Sequence, residues 1–222
     1  MATVSSRRKN REDDSLSLMD KIKAKQQQIE AGRGLWWTPA EGKNVVRIMP
    51  SWQGPSGLWY AEIVTHYDVG PNKKSVACLK CFDQECPVCH VLEQLCSSNK
   101  ATDQTLASRM MGNKIYYVNA GVPNKPDGVV KPWRMGEKFF LDILSIYTNG
   151  EYGDFTHPKR GYDITFVRKG TGLQTRYSNI LPTRPRPLQI EDWKLKLKNL
   201  TTFVKPYTRR EIRAFLAGEE LD

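Results

Sequence analysis

The chain has 222 residues, with 34 Lys and Arg against 24 Asp and Glu, a formal net charge of +10 and a hydrophobic content of 39%. That content is enough to bury a core, so wholesale disorder is excluded. No apolar stretch approaches the roughly 18 residues that a membrane-spanning helix needs, and no apolar run follows the charged N-terminus as in a secretory signal. We therefore expect a soluble cytoplasmic protein without a membrane partner, whose excess positive charge favours a polyanion.

The first 33 residues form a basic N-terminal segment. Its cations are concentrated between Arg7 and Arg11, in a polar stretch without apolar periodicity. The string Ser17-Leu-Met-Asp20 resembles a capping box, in which the first and fourth residues bond the free backbone groups of a helix start. It predicts a short helix that ends near Ala31, before two closely spaced glycines.

Two strands and one helix are predicted in the next part of the chain. Lys43–Met49 is closed by a proline, and Trp59–Tyr67 alternates between two sets of side chains, as a half-buried strand does. Val88–Cys96 has three apolar residues at the spacing of one helical face, which predicts a short helix. Cys96 at the end of that helix is predicted to be a buried thiol.

The following part alternates between strands and one longer helix. Lys114–Asn119 has the composition of a strand, and Val129 opens another. Gly136–Tyr147 has apolar residues at helical spacing, which predicts a helix whose apolar stripe packs on the core. Tyr162–Val167 alternates and is joined by a glycine-containing turn to a return strand at Leu173–Asn179. These two strands are predicted to form a hairpin.

The C-terminal part begins with a proline-rich basic link and ends in a helix. Thr208-Arg-Arg-Glu211 has the pattern of a capping box, and Gly218 provides the stop. The chain as a whole combines many short strands with few helices. We therefore predict a mainly β, α+β protein built as a small barrel rather than a parallel α/β sheet.

The cysteines are clustered in a way that indicates a metal site. All five fall between positions 78 and 96, and four stand in the string CLKCFDQECPVC. Because disulfides are rare in the cytoplasm, clustering of this kind favours a metal, and tetrahedral Zn²⁺ with three or four sulfur ligands and at most one imidazole fits best. Unliganded thiols, an iron–sulfur cluster and a redox dithiol are the alternatives. The two pairs with two-residue gaps are Cys78 with Cys81 and Cys86 with Cys89, and the nearby imidazoles are His66 and His90.

The positive charge is concentrated in residues 100–186, which carry 14 basic against 7 acidic residues, whereas residues 34–99 carry 5 against 6. The same segment contains Trp133 and several tyrosines. Cations interleaved with aromatic rings suit a single strand of nucleic acid, because phosphates pair with the cations and bases stack on the rings. An ordinary core beside a solvated charged face would have the same composition and stays open as the alternative.

Catalytic motifs are poorly represented. The sequence has no phosphate-binding G-x-x-x-x-G-K-[ST] loop and no G-x-S-x-G elbow. Its acidic residues are scattered, and Asp163 is expected on the outward face of a strand. We therefore expect a binding protein and no enzyme. A zinc-dependent nuclease or primase-like enzyme and a zinc-ribbon protein adaptor are the alternatives.

Several strings, taken in order, resemble a known family. These strings are Val45-Val46-Arg47-Ile48-Met49-Pro50-Ser51, His66, Cys78, Cys86-Pro-Val-Cys89, Lys114-Ile-Tyr-Tyr-Val-Asn119 and Val130-Lys-Pro-Trp-Arg-Met-Gly136. Over roughly residues 15 to 180 the chain resembles the replication single-stranded-DNA-binding (helix-destabilising) proteins of T4-like tailed phages. The His…Cys…Cys-x-x-Cys pattern is the most specific part of this resemblance.

The resemblance implies an OB-fold barrel with an inserted zinc-ribbon-like subdomain and flanking terminal helices. It divides the chain into an N-terminal arm at 1–33, an OB-fold core at 34–186 with the zinc subdomain at about 60–100, and a C-terminal helical tail at 187–222. The arm would support cooperative self-association on single-stranded DNA. The other implied partners are the replication and recombination proteins of the same phage.

The resemblance also assigns site residues, none of them catalytic. One structural Zn²⁺ would be held by the residues that match the family pattern, and Cys81 is an additional cysteine that could replace the histidine. Because neighbouring residues of a strand face opposite sides, only one of the two adjacent tyrosines is expected to stack on bases. The implied zinc ligands are His66, Cys78, Cys86 and Cys89. The implied DNA contacts are Arg109, Lys114, Tyr116, Tyr117, Trp133, Arg134, Lys138 and Tyr177.

Overall fold

A computed structural model describes residues 34–122 and 128–219. The helix predicted at residues 17–31 therefore lies outside the described residues. Contacts between Cα atoms divide the chain into residues 1–37 and residues 38–222, and the second unit contains every strand and helix discussed below.

Seven strands of the described residues form an antiparallel sheet. They are β1 (Gly42–Ile48), β2 (Tyr60–Val69), β3 (Lys74–Ala77), β4 (Asn113–Val122), β5 (Val129–Gly136), β6 (Ile164–Lys169) and β7 (Arg176–Pro182). Their order is β3-β2-β4-β1-β6-β7, and β5 pairs with β4 outside this path. The predicted mainly β, α+β class is confirmed, and so is the hairpin of β6 and β7.

Strand β1 joins two groups of strands. Its residues Gly42 to Val46 pair with β6, whereas Arg47 and Ile48 pair with β4. Val46 and Ile48 are fully buried, as expected for a strand with neighbours in both groups. One short strand therefore connects the β6–β7 hairpin to the β2–β4–β5 group.

The described helices are short. They are α1 (Pro87–Cys96), α2 (Ala101–Met110), α3 (Glu137–Thr148), α4 (Trp193–Lys196), α5 (Leu200–Phe203) and α6 (Arg209–Ala217), with 3₁₀ turns at Leu79–Phe82 and Gly172–Gln174. The predictions of α1, α3 and α6 are confirmed, whereas α2 was not predicted because it buries only Ala107 and Met110. No described helix has the length and apolar composition required to cross a membrane.

An aromatic core lies between α3 and one face of the sheet. Phe140 of α3 stacks on Tyr116 of β4, with ring centroids 3.7 Å apart and an interplanar angle of 2°. Phe139, on the next position of α3, packs against Trp133 of β5 and Tyr177 of β7. The apolar stripe predicted for this helix is thus its core face, and it draws rings from three strands.

Residues 187–219, here named the C-terminal strap, connect two separate cores. Ile190 packs with Met49 and Val130 against the sheet, whereas Ile212 and Phe215 of α6 pack near β3 and α1. Between these contacts the buried side chain of Asn119 in β4 donates to the carbonyl oxygen of Lys198 and accepts from its amide, at 2.9 and 3.0 Å. The strap therefore contacts the rest of the folded unit near its beginning, in its middle and near its end.

A close approach of two backbones seats α6. Gly70, in the turn between β2 and β3, has φ +68°, and a Cβ atom at this position would collide with the carbonyl oxygen of Phe215. Only glycine tolerates both the positive φ and the close contact with the backbone of α6 without strain. The helix itself is closed at both ends, by the Thr208–Glu211 capping box and by Gly218 in the left-handed conformation.

The expectation that Asp163 faces outward is wrong. Its carboxylate is 2% exposed and accepts from Nε of Arg47 at 2.7 Å and from Arg186 at its other oxygen. Arg47 is equally buried and donates a further bond to the carbonyl oxygen of Arg186. Two charges from distant parts of the chain neutralise this aspartate, and alternation in the sequence does not reveal such pairing.

We expect Asp163→Asn to destabilise the fold by about 3–5 kcal/mol, because it leaves the buried Arg47 guanidinium without its counter-charge. The free energy of unfolding in urea measures this loss. Asp142→Asn, which makes the same change on the exposed side of α3, is the control and should shift stability by less than about 0.5 kcal/mol. Equal effects of the two variants would contradict the assigned role of the ion pair.

Candidate metal centre and nucleic-acid interface

Four of the predicted ligands converge in the structure. One donor atom from each of His66, Cys78, Cys86 and Cys89 lies within 4.8 Å of the other three. The Sγ atoms of Cys78 and Cys89 are 3.5 Å apart, and Sγ of Cys89 is 3.5 Å from Nε2 of His66. Ligand atoms of tetrahedral Zn²⁺ with Zn–S bonds of about 2.3 Å stand about 3.5–3.8 Å apart. The cluster therefore has the composition and spacing of a zinc site.

The histidine of this cluster is oriented by a second contact. His66 is 3% exposed, and its Nδ1 lies 3.2 Å from the carbonyl oxygen of Met110 at the end of α2. A carbonyl oxygen only accepts, so Nδ1 carries the proton and Nε2 keeps its lone pair toward the sulfurs. This is the arrangement that metal-binding histidines normally show. Helix α2, which the sequence did not predict, thus has a defined role beside the cluster.

The thiols of the cluster differ in acidity. The interaction between Cys78 and Cys86 raises the pKa of the Cys78 thiol and lowers the pKa of the Cys86 thiol. His66 also lowers the pKa of Cys86. Burial raises the pKa of Cys89. Cys86 is therefore the first thiolate to form. Because the other two thiols must lose protons to bind a metal, affinity for the metal should fall as the pH falls.

The other two cysteines stand apart from the cluster. Cys81 is exposed, and its sulfur accepts from the amide of Val64 at 3.3 Å. The structure thus brings His66 rather than Cys81 to the other three ligands. Cys96 is exposed as well, so its prediction as a buried thiol is wrong. It lies at the last position of α1, whose Val88, Leu92 and Leu95 pack on the core without it.

The cluster also belongs to a small hydrophobic core. Cys78 and Cys86 are buried together with Val76 of β3 and with Ile212 and Phe215 of α6. The same core contains Leu79, Val88 and Met110, and Leu92, Leu95 and Leu216 pack against it. A bound metal would hold these segments together, as in structural zinc sites generally.

The predicted DNA-contacting residues of β4 and β5 fall on two faces of the sheet. Tyr116 is paired with Glu62 and Met135, and Tyr117 is paired with Ala61 and Arg134. Residues directly opposite each other share a face, and neighbours along a strand do not. Tyr116 thus faces α3 and Tyr117 faces the opposite side, as predicted from the alternation.

On the α3 side, Lys114 lies next to a carboxylate. Its Nζ is 3.1 Å from Oε1 of Glu62, and the two side chains are 49% and 37% exposed. The hydrogen bond with Glu62 and its negative charge raise the pKa of Lys114. Burial, together with Glu62, raises the pKa of Tyr116. Sequence reasoning did not select Glu62. The alternation of β2 puts Glu62 on the same face as Tyr60, but it does not show the register of β2 with β4 that brings Glu62 to Lys114.

On the opposite side, Arg134 is exposed but oriented. Its Nη2 donates to the hydroxyl oxygen of Tyr67 at 3.0 Å. The Tyr117 ring is 6% exposed, and its pKa is raised by burial although Arg134 is near enough to oppose the rise. Tyr67 is a second residue that sequence reasoning did not select. Because the hydroxyl is neutral, it leaves the charge of the guanidinium uncompensated, and a guanidinium of this kind is suited to bind an anion.

The remaining two aromatic residues differ in exposure. Trp133 is 1% exposed and stacks on Phe166 at 5.5 Å, with Phe139 at its side. A base could reach this indole only after the core had opened. Tyr177 is half-buried and lies on Phe139 at 4.2 Å and 27°. A ring supported on one side and partly exposed is suitable for stacking with a base.

The last two predicted cations are exposed on helices. Arg109 lies in the last turn of α2, immediately before the carbonyl group that orients His66. Lys138 lies in the first turn of α3, next to the Phe139 ring that supports Tyr177. The predicted cations are therefore distributed around the sheet rather than collected in one cluster.

Comparison with protein families supplies the decisive observation. Residues 40–214 match the family described as gp32 DNA binding protein like. The chain belongs to this family. The match begins just before β1 and ends within α6, so it includes the sheet, the four-residue cluster and most of the C-terminal strap. A search of curated proteins finds no match to this chain. DNA binding is thus a property of the family to which the chain belongs.

We expect Cys89→Ser to lose one zinc ion per chain and Cys81→Ser to retain it, because only Cys89 lies in the four-residue cluster. Both variants change one sulfur to oxygen in the same segment, so Cys81→Ser is the matched control. Metal content by mass spectrometry of the native protein, repeated at falling pH, measures the difference. Zinc retained by Cys89→Ser and lost by Cys81→Ser would contradict the ligand set.

Proposed function

We propose that the protein binds single-stranded DNA without strong sequence preference, through stacking and phosphate contacts. The observation that carries this proposal is the family match over residues 40–214. The exposed cations and the supported Tyr177 ring favour a single strand over a duplex, because only unpaired bases have faces free for stacking. No chemical step is assigned to the protein.

We propose that the sheet is an OB-fold barrel with the zinc module inserted in it. Strand β1, shared between the β6–β7 hairpin and β4, supports this reading, since barrel closure requires a strand with neighbours in both halves. His66, Cys78, Cys86 and Cys89 would hold one structural Zn²⁺, which would supply rigidity and no chemistry. The proposed divisions of the chain remain 1–33, 34–186 and 187–222.

The proposed contacts are divided by exposure. The cations Arg109, Lys114, Arg134 and Lys138 would meet phosphates, and Tyr177 would stack on a base. Tyr116, Tyr117 and Trp133 are 5%, 6% and 1% exposed. In this conformation they support the surface from beneath, and a stacking role for them requires rearrangement on binding.

We further propose, on the resemblance to phage helix-destabilising proteins, a role in phage replication, recombination and repair. By binding transiently open strands, such a protein shifts a duplex toward separation without an energy source. The proposed partners are the replication and recombination proteins of the same phage and further copies of the chain on the strand. The proposed location is the cytoplasm of the bacterial host.

The proposal is tested by titrating labelled oligo-dT and a duplex of equal length with the zinc-loaded protein at several salt concentrations. We expect tighter binding to the single strand and a logarithm of the affinity that falls linearly with the logarithm of salt. The same samples are incubated with Mg²⁺ and analysed for cleavage or synthesis. Equal affinity for both DNAs would contradict the proposal, and strand cleavage would favour the alternative of a metal-dependent nuclease.

We expect Lys114→Ala to reduce the slope of that salt dependence by about 0.7, the value for one phosphate contact on a single strand. Lys194→Ala is the control, because Lys194 is exposed on the C-terminal strap beside the Trp193 ring, outside the proposed contacts. Its slope should equal that of the unchanged protein. An unchanged slope for Lys114→Ala would remove this residue from the phosphate contacts.

A further inference from the structure

The proposed DNA surface contains a carboxylate that phosphate binding does not require. Glu62 is on β2, diagonally opposite Lys114 on β4, and their side-chain charges are 3.1 Å apart. An acidic group is unfavourable beside a phosphate chain, because like charges repel. A carboxylate is therefore unexpected next to a proposed phosphate contact.

Two neighbours on the same face of the sheet flank the Glu62 carboxylate. Lys114 pairs with it at 3.1 Å. Tyr116 lies directly opposite Glu62 in the strand register, and its ring stacks on Phe140 at 3.7 Å. An ammonium group is a donor that would also bind a phosphate oxygen. Glu62 thus occupies the donor of an anion site with an anion of the protein itself.

The site remains accessible to a competing anion. The Lys114 side chain is 49% exposed and that of Glu62 is 37% exposed, and ion pairs with this exposure are weak. Glu137, at the start of α3, adds a second negative charge near Lys114. A DNA strand that also binds elsewhere on the protein could therefore displace Glu62 at small cost.

We propose that Glu62 occupies the phosphate site at Lys114 in the free protein and is displaced when a single strand binds. This inference rests on the proposed function and identifies a regulating residue within the same site. Glu62 lowers the affinity of that contact. The carboxylate thereby disfavours weakly held anions, since only a ligand with further contacts compensates for its displacement.

The test compares Glu62→Gln with the unchanged zinc-loaded protein in oligo-dT titrations. Glutamine keeps the shape and one side-chain oxygen, but it removes the charge that neutralises Lys114. We expect the affinity of Glu62→Gln at low salt to rise about three- to tenfold, and this gain to shrink as salt screens the charges. In the Lys114→Ala background the same substitution should change affinity by less than about twofold.

Glu93→Gln is the matched control. Glu93 forms a comparable exposed ion pair with Lys80 on the zinc module, at 3.5 Å, and its substitution changes the net charge equally. We expect its affinity to stay within about twofold of the unchanged protein. Thermal unfolding of all variants shows whether their folds are equally stable.

Three results would overturn the inference. They are an affinity of Glu62→Gln no higher than that of the unchanged protein, an equal gain from Glu93→Gln, and a gain that persists without Lys114. Each of these results can be obtained only when the unchanged protein binds the strand. If the unchanged protein and Glu62→Gln both fail to bind oligo-dT, the proposed function itself is wrong and this inference fails with it.

Discussion

The hydrogen bonding of β4 along both of its edges is the constraint on which the rest of the structure depends. Strand β5 follows one edge, while β2 and then β1 share the other. Every other strand reaches the sheet through one of these three. Because side chains alternate along a strand, this one segment presents Lys114 and Tyr116 to α3 and Tyr117 and Asn119 to the C-terminal strap. The register of β4 therefore decides which residues share a surface.

The candidate metal centre lies within the hydrophobic core that β3, α1 and α6 share. Its ligands come from β2, from the residue before a 3₁₀ turn, and from the start of α1. Helix α2 adds the carbonyl oxygen that orients His66, and α6 covers the two buried thiols. Since α6 is the end of the C-terminal strap, the metal centre and the sheet are tied by the same segment. Removing the metal should therefore affect contacts well away from the ligands.

Two of the four cations proposed to contact DNA are oriented by neighbouring side chains. Lys114 is paired with Glu62, and Arg134 is bonded to Tyr67. A side chain that is already oriented loses less conformational freedom when it binds a phosphate, which favours association. The two partners differ in sign, however: the tyrosine hydroxyl leaves the charge of Arg134 available, whereas the Glu62 carboxylate opposes a phosphate. The two faces of the sheet thus differ: Arg134 is oriented by a neutral partner, whereas Lys114 is paired with a negative charge.

The sequence by itself determined the features that depend on neighbours along the chain. Spacing identified the Cys86–Cys89 pair, alternation separated Tyr116 from Tyr117, and the capping box marked the start of α6. These patterns are reliable because ligand turns, strand faces and helix caps are completed within a few residues. The mainly β class followed from the same local signals.

Only the tertiary structure decided what depends on residues far apart in the chain. It placed Asp163 between two arginines, Trp133 in the core, Cys81 outside the metal cluster and Glu62 against Lys114. In each case the deciding partner is brought close by strand register or by packing of distant segments. Local periodicity reports which face of an element a side chain occupies, and it contains no information on what lies opposite that face.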